Sequence, residues 1–516
     1  MNRKLEGGAA HRFGCAGFLL WSLDVCCLTT RLEGSALPEL AFQSALQLGS
    51  AIRNKSISAA EMLEYFLARV EKFNPKLNAI VVEDTDRALE FARKADKALA
   101  RDEVWGVLHG VPITLKESYD VAGLITTRGN PVWKDNRVDR DALAVTRLKQ
   151  LGVNLFGKTN VPYNLADMQS YNDIYGTTNN PWDLSRGPGG SSGGSAAALA
   201  SGMTGLESGS DIGGSIRNPA HYCGVFGHKP TWGMLPTLGN AAPGVLAQSD
   251  LTVIGPLARS AADLEIATLA MAGPDEIQSA GLKLDLKACP HPTLAGFKVA
   301  VWRDHDQAPV SEETRKRIDA VAQAVKDAGG TVDYDARPDL DFKAAQDNFN
   351  ALLAAVMTSR NPRKDYDRLK EKLDDTDTSD AHRVHLHLQL ASYRDYALAN
   401  EARTKSRWAW HEFFKSWDVM IMPVMPTQAF EHDHRPPMER TIQVDNETRS
   451  YYEGIFWSGH AINNYLPATV VPTGAVGEGL PIGVQIMGPE YGDLKTIGFA
   501  KLLEAAGFGF AVPLGY

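Results

Sequence analysis

From Leu37 onward the chain alternates between two hydrophobic rhythms. In SALQLGSAIRNKSISAAEMLEYFLARVEKF apolar residues recur at spacings of three and four, the stripe of amphipathic helices. Ser58, three residues before Glu61, makes a capping signal for the second helix. Residues 75–78 break the rhythm, and the following NAIVV suits a short strand. DTDRALEFARKADKALA returns to the helical period. GVLHGVPITLKE predicts a strand that delivers Lys116 at its end, and DALAVTRLKQLGVNLFGKT a helix, a glycine stop and a buried strand. KPTWGMLPTLGNAAPGVLAQSD is loop-rich, SAADLEIATLAMAG is helical, and residues 275–295 carry the weakest packing pattern. Residues 310–330 and 340–415 are helical, with RKDYDRLKEKLDDTDTSD as a solvated helix and loop. Met420, Met422 and Met425 fall as core positions of a strand. Helix and strand in alternation predict a layered α/β fold: a mixed central β-sheet flanked by helices.

Composition narrows this picture. A chain of 516 residues allows two or three average domains or one large α/β enzyme. No repeat or linker divides residues 37–516, which favours one domain. A net charge of −9, from 53 basic and 62 acidic residues, lacks the basic footprint of general nucleic-acid binding. Cys15, Cys26, Cys27, Cys223 and Cys289 form neither a disulfide framework nor a zinc spacing, and the thirteen histidines show no regular ligand pattern. No metal or cofactor is expected. Residues 1–36 hold a loosely signal-like run that Asp24 interrupts. They are expected to be a poorly ordered extension. No segment reaches transmembrane length, so a soluble, cytoplasmic protein is expected, secreted only if residues 1–36 act as a signal peptide.

Residues 152–159, GVNLFGKT, satisfy the phosphate-binding pattern G-x-x-x-x-G-K-[ST]. That loop must follow a strand and open a helix, whereas VNLF reads as the strand itself and Pro162 follows closely. Apolar side chains pinned in a sheet cannot wrap a triphosphate, so the nucleotide reading is rejected.

The chemistry concentrates in residues 187–217, GPGGSSGGSAAALASGMTGLESGSDIGGSIR, and in Lys116 upstream. A Gly/Ser-rich run is most often a flexible linker, and a lysine ending an apolar strand is usually a solvated strand end. Here AAALA, Ile212 and Ile216 interrupt the run and make it look packed. Serine hydroxyls on glycine-rich backbone, with a lysine available for burial, supply the parts for serine-nucleophile chemistry without histidine.

These phrases resemble the amidase signature family. GGSSGGSAAALASG followed by SGSDIGGSIRNPAHYCGVFGHKPT is similar to its signature stretch. GVPITLKESYDVAG is similar to its lysine segment, GKTNVPYNLADM to its lead-in, and WDVMIMPVMPTQAF with LPATVVPTGAVGEGLPIGVQIMGP to its closing strands. The likeness runs from about Leu37 to the end. It implies a catalytic core over about 100–260 and 417–516, and a variable helical region over about 310–415.

It further implies Ser215 as nucleophile, Ser191 as the bridging serine on a cis Gly190–Ser191 peptide, and Lys116 as base. The 24 residues between Ser191 and Ser215 agree with the family spacing. The N–H groups of Ile212, Gly213, Gly214 and Ser215 would form the oxyanion hole, with Ser192, Asp211 and Arg217 in support. Arg217 has a second reading, as partner of a substrate carboxylate. Lys116 must be neutral to accept a proton, although a free lysine titrates near about 10.4; burial beside Val111, Ile113 and Leu115 would lower it. His221 and His228 are expected to be structural.

Leu165, Asp167 and Met168 correspond to a segment that lines the acyl side in the family. Trp232, Leu235, Leu238, Phe349 and Tyr393 lie where members differ, and they suggest an apolar or aromatic substrate. The implied activity is hydrolysis of a small-molecule amide, carbamate or ester, with aryl carbamate cleavage the favoured specific reaction. No nucleic-acid or membrane partner is implied, and a homodimer is allowed. The rival classes are a catalytically silent binding protein on the same scaffold and a glutamyl-tRNA amidotransferase A-type subunit.

Overall fold

The computed structural model describes residues 39–476 and 479–516. The N-terminal extension expected over residues 1–36 lies outside them.

The predicted helix over the AAEMLEYFLARVEKF stretch is α1, Ala59–Leu77. The Ser58 side chain accepts from Glu61 N while the Glu61 side chain accepts from Ser58 N, completing the capping box. Pro75 stays inside the last turn, so the helix runs past it. Its stop is set by Asn78, at φ 50°, and by Asn74, whose amide oxygen accepts from the N–H groups of Ala79 and Ile80.

Three strands follow: β1 (Ile80–Glu83), β2 (Pro112–Lys116) and β3 (Asn154–Thr159). They form a small sheet of order β1-β3-β2, with β2 and β3 parallel. Every residue of β2 is buried, which fits its unbroken apolar run ending in Lys116. Residues 154–159 of the G-x-x-x-x-G-K-[ST] pattern are the third strand of this sheet. Lys158 lies in β3 and donates to Ile125 O at 2.6 Å and Thr126 Oγ1 at 2.9 Å, inside the protein.

The main sheet is built from β4 (Glu207–Asp211), β5 (Phe226–Lys229), β6 (Val253–Ala258), β7 (Lys298–Val301), β8 (Thr331–Asp333), β9 (Val419–Pro423), β10 (Ala468–Val476) and β11 (Leu480–Met487). Its order is β8-β7-β9-β11-β10-β5-β6-β4. β7 runs parallel to β8 and β9, and the remaining neighbours are antiparallel. The sheet is therefore mixed and flanked by helices, as expected. The strand carrying Lys116 belongs to the separate small sheet. Thr114 joins the two: its N–H donates to Thr204 Oγ1 at 2.9 Å, and its hydroxyl donates to Glu207 Oε1 on β4 at 2.5 Å. The three methionines are buried, two on β9 and one just beyond it.

Between the sheets lies α2 (Gly193–Ala200), whose eight residues are all buried. Glycine and alanine there permit close approach, since a Cβ on Gly194 would sit 2.3 Å from Asn160 N. α3 (Arg217–Cys223) starts just after the second serine cluster.

The variable region supplies α4 (Phe342–Thr358), α5 (Asp380–Gln389) and α6 (Tyr393–Phe413). The charged helix Arg363–Asp374 contributes no buried residue. Asp250 ties α6 to the loop after β5. It accepts from Arg403 Nη1 at 2.7 Å, Tyr396 Oη at 2.5 Å and Tyr465 Oη at 2.6 Å. α7 (Gly454–Asn463) lies beneath α4, with Phe349, Leu352, Ile462 and Tyr465 in one apolar cluster. Glu39–Tyr516 forms one compact unit. Among the described residues, no helix is long and apolar enough to cross a membrane.

Candidate active site

Three segments converge on one buried amine. β2 brings Lys116 to its last position, the turn before α2 brings Ser191 and Ser192, and β4 brings Ser210. Lys116 Nζ donates to Ser191 Oγ at 2.7 Å, Ser192 Oγ at 2.8 Å and Ser210 Oγ at 3.1 Å. The Gly190–Ser191 peptide is cis. Burial of Lys116 pushes its pKa well below the ordinary lysine value, and the nearby Arg128 guanidinium adds to the effect; Asp211 and Glu207 act in the opposite direction. Burial disfavours the charged form, and a neutral amine placed among hydroxyls can accept a proton from one of them.

Ser215 lies at the surface of a cavity, 9% exposed against 1% for Ser191. Among the described residues no hydrogen bond links the two hydroxyls. The backbone instead holds the segments together, with Ser192 N donating to Ser215 O at 3.1 Å.

The loop before Ser215 is shaped by Asp211. Its Oδ1 accepts from Gly214 N at 2.7 Å and its Oδ2 from Ile216 N at 3.1 Å. Arg217 closes the pair through Nε and Nη2, each at 3.0 Å. Burial alone would raise the Asp211 pKa, but the charge and hydrogen bonds of Arg217, with those two N–H groups, hold it below its usual value. Gly214 has φ 108°, a conformation that side chains strain. A Cβ on Gly213 would meet nothing within 4 Å, so that position opens onto free space, while its carbonyl accepts from Ser458 Oγ at 2.9 Å.

Two expectations change here. Gly214 N–H, expected to face an oxyanion, is spent on Asp211. Arg217 does not receive a substrate: its Nη1 donates to Gln485 Oε1 at 2.7 Å and Ser458 O at 3.0 Å, and the side chain is wholly buried.

The cavity above Ser215 has a volume of about 670 Å³. Leu165, Asp167, Met168, Ile212 and Gly213 line it, together with Leu353, Met357, Leu388, Ile455 and Phe456. Asp167 reaches the wall with its charge already paired. Arg440 Nη1 donates to one carboxylate oxygen at 2.7 Å and Tyr451 Oη to the other at 2.5 Å. The five residues suggested from the variable stretches do not line it. Leu235 and Phe349 are core residues, Trp232 stacks on Tyr465 at 4.6 Å, and Leu238 and Tyr393 face solvent.

His221 and His228 are tied into the core. His221 bonds Gly483 O and Thr427 O, and His228 contacts Thr469 Oγ1 and Asp493. Sequence reasoning missed Ser210, Gln485, Arg440 and Tyr451. Ser210 had a signal, since strand alternation places it on the other face from Asp211, within the same SGSD phrase. Arg440 had none, because it sits in a polar loop 273 residues from Asp167. Among the described residues no cluster of His, Cys, Asp or Glu could hold a metal ion.

A family model for Amidase matches residues 61–497. The chain is 30% identical over 496 residues to the A-type subunit of glutamyl-tRNA(Gln) amidotransferase from Bdellovibrio bacteriovorus, covering 91% of this chain and 98% of that one. Its fold is similar to an inhibitor-bound complex related to an s-triazine catabolic enzyme, with TM-score 0.77, 26% identity, and 91% and 99% of the two chains covered. It is also similar in fold to a bacterial aryl acylamidase of the amidase signature family, with TM-score 0.75, 24% identity, and 90% and 96% covered. With the family matched across most of its length, the chain belongs to the amidase signature family, whose members act on amide C–N bonds.

Proposed function

We propose that this protein is a self-sufficient hydrolase of neutral apolar or aromatic amides and carbamates, using Ser215 as nucleophile, Ser191 as proton relay and Lys116 as base. The observation that carries the reading is the buried, deprotonation-prone Lys116 within hydrogen-bond reach of Ser191, beside a cavity that exposes Ser215. Ser215 Oγ attacks the carbonyl carbon while its proton passes through Ser191 Oγ to Lys116 Nζ. The tetrahedral oxyanion meets the N–H groups of Ile212, Gly213 and Ser215. As the C–N bond breaks, the proton returns through Ser191 to the leaving nitrogen. Water then attacks the acyl-enzyme by the same route, releasing the acid and restoring Ser215. Ser192 and Ser210 hold the amine in place. A carbamate differs by one oxygen on the acyl side, so the same groups serve it, and an aryl carbamate is the favoured specific substrate.

The cavity supports a neutral substrate. Its acidic side chains already have cationic partners: Asp167 with Arg440, Asp347 with Lys343 and Glu453 with Arg449. Among the described residues no lysine or arginine lines it. A second reading, an amidotransferase A-type subunit working only with partners, is favoured by the name of the relative at 30% identity. Against it, the carboxylate of an amino-acid amide would find in this lining no lysine or arginine, only His385, whose pKa burial lowers.

The test is release of aromatic amine from paired 4-nitroanilides, one an amide and one a carbamate. Wild type alone is expected to cleave at least one, and Ser215→Ala to lose at least about 10³-fold in kcat/KM. A folded wild type inert on both would favour the partner-dependent subunit. Full activity in Ser215→Ala would overturn the mechanism.

A further inference from the structure

Part of the cavity wall is a strap, residues 431–453, whose two short strands (Thr441–Val444 and Glu447–Ser450) pair as a hairpin. Pro437, Met438, Tyr451 and Tyr452 of the strap line the cavity with Ser215. A single guanidinium fastens it. Arg440 Nη1 donates to Asp167 Oδ2 at 2.7 Å, Nη2 to Tyr171 Oη at 2.7 Å, and Nε to Arg435 O within the strap at 2.5 Å. The planar fork of arginine suits three partners at once, and the Arg440 and Asp167 side chains are only 1% and 8% exposed. Gln169 makes a second fastening: its amide donates to Asp433 O at 2.7 Å, and its carbonyl accepts from Asp433 N at 3.0 Å. The segment that receives both, residues 167–171, also packs against the turn that carries Ser191. A Cβ on Gly190 would lie 2.6 Å from Asp167 O and from Gln169 O. Ser170 Oγ donates to Gly189 O at 3.0 Å and accepts from Gly193 N at 3.1 Å.

We propose that Arg440 is a positioning residue for the relay: by clamping the strap onto residues 167–171, it holds the turn of Ser191 in place for proton transfer. The proposal rests on the hydrolase reading, in which Ser191 passes protons between Ser215, Lys116 and the leaving nitrogen. Arg440 does not itself line the cavity; its effect travels through Asp167 and the backbone packed on Gly190. Without it, Asp167 keeps the Tyr451 hydroxyl but loses its cation, and the segment loses its main fastening. The consequence is selective. With an anilide, acylation asks two transfers of Ser191: the Ser215 proton to Lys116, then a proton to the leaving nitrogen. With a 4-nitrophenyl ester the phenolate leaves unprotonated, so only the first is needed. A displaced Ser191 therefore penalises an anilide more than the ester of the same acyl group.

The experiment measures kcat/KM for a 4-nitroanilide and a 4-nitrophenyl ester that share one acyl group. Arg440→Met is expected to lower the anilide-to-ester ratio by about tenfold or more relative to wild type. Both substrates are read on the same variant, so loss of folded protein and changes in acyl binding cancel from the ratio. Arg440→Lys keeps a cation beside Asp167 but not the fork, and should restore part of the ratio. Gln169→Met, which leaves no buried charge and so guards against a misfolded Arg440→Met, should move the ratio the same way by less. Hydrogen exchange gives a readout independent of turnover: in Arg440→Met the amides of residues 187–194 should exchange faster, with those of β9 and β11 unchanged. A wild type inert on both substrates, with that exchange response present, would sink the hydrolase reading and leave the clamp standing. An unchanged ratio in Arg440→Met and Gln169→Met, or unchanged exchange over residues 187–194, would overturn the positioning role.

Discussion

Two apolar strands in this molecule end on a fully buried lysine, and the two lysines do different things. β2 ends on Lys116 and β5 on Lys229. In both, burial is the main cause of a lowered pKa; Lys229 is pushed down to about 7, with Arg217 adding its charge. The partners differ. Lys116 faces three serine hydroxyls. Lys229 donates to two backbone carbonyls, Pro230 O at 2.8 Å and Leu466 O at 2.6 Å. A hydroxyl donates as well as accepts, so it can hand a proton to a neutral amine and take it back. A carbonyl only accepts, which makes Lys229 a brace between β5 and the segment before β10. Desolvation lowers a lysine's pKa and favours its neutral form, and its neighbours decide whether the freed lone pair can be used.

The largest expected effect lies at the first lysine. Lys116→Met should lower kcat/KM by at least about 10³-fold while the folded fraction, read by circular dichroism, stays intact. Its pH dependence sharpens the contrast. Only the neutral amine accepts the Ser191 proton, so wild-type kcat/KM should fall as pH drops through the depressed Lys116 pKa and level off above it. An enzyme that keeps its full rate well into acid, or a Lys116→Met variant within tenfold of wild type, would mean that the buried amine is not the base.

At the second lysine the loss should appear in stability. Lys229→Met leaves the carbonyls of Pro230 and Leu466 without their donor, at a cost of about 1–3 kcal/mol, while activity per folded molecule stays within a few-fold of wild type. Urea unfolding should show a lower midpoint at unchanged slope. If activity instead collapses in step with Lys116→Met, the distinction between hydroxyl and carbonyl partners fails.

Nothing in the sequence around the two lysines separates them. GVPITLKE and GVFGHKPT both read as apolar runs ending in a cation, and the partner atoms come from segments up to 237 residues away. The family likeness singled out Lys116, Ser191 and Ser215 where strand patterning could not. Local signals held where the cause was local. The Ser58 cap is a contact between residues three apart, and the helix-forming AAALA became a helix buried all round. The cavity wall was illegible for the opposite reason. Leu353, Met357 and Leu388 lie on α4 and α5, whose inward faces depend on how the variable helices dock, and the Asp250 clamp that fixes α6 is formed across more than 140 residues. Phe349 looked like a pocket aromatic because it is apolar and on the right helix; Gln346, Asn350, Leu353 and Met357 line the cavity, while Phe349 and Leu352 beside them pack into the core.

The smallest expected effect tests a third buried ionisable group, one that supports the lysine strand without touching substrate. Glu207, on β4, accepts from Thr114 on β2, and burial pushes its pKa up to about 8 despite hydrogen bonds from Thr114, Ser195, Thr159 and Ser208 N–H. Its pKa is therefore raised above the unfolded value of 4.5, so its stabilising contribution is whole below that value and is lost as pH rises through about 8. Stability should therefore fall as pH rises from about 5 toward 8, with the donors from Thr114, Ser195, Thr159 and Ser208 N–H limiting the fall. Glu207→Gln, neutral and nearly isosteric, should flatten that slope, matching or exceeding wild-type stability at pH 8.5 and falling slightly below it at pH 5. Activity should move by only a few-fold, through the weaker pull of one nearby carboxyl on Lys116. A wild-type stability that rises with pH across this window, or a variant with an unchanged slope, would show that Glu207 is already ionised in the folded protein. In that case the link between the two sheets would be an ionised carboxylate held by donors, and Glu207 would act on Lys116 as a fixed negative charge throughout the working pH range.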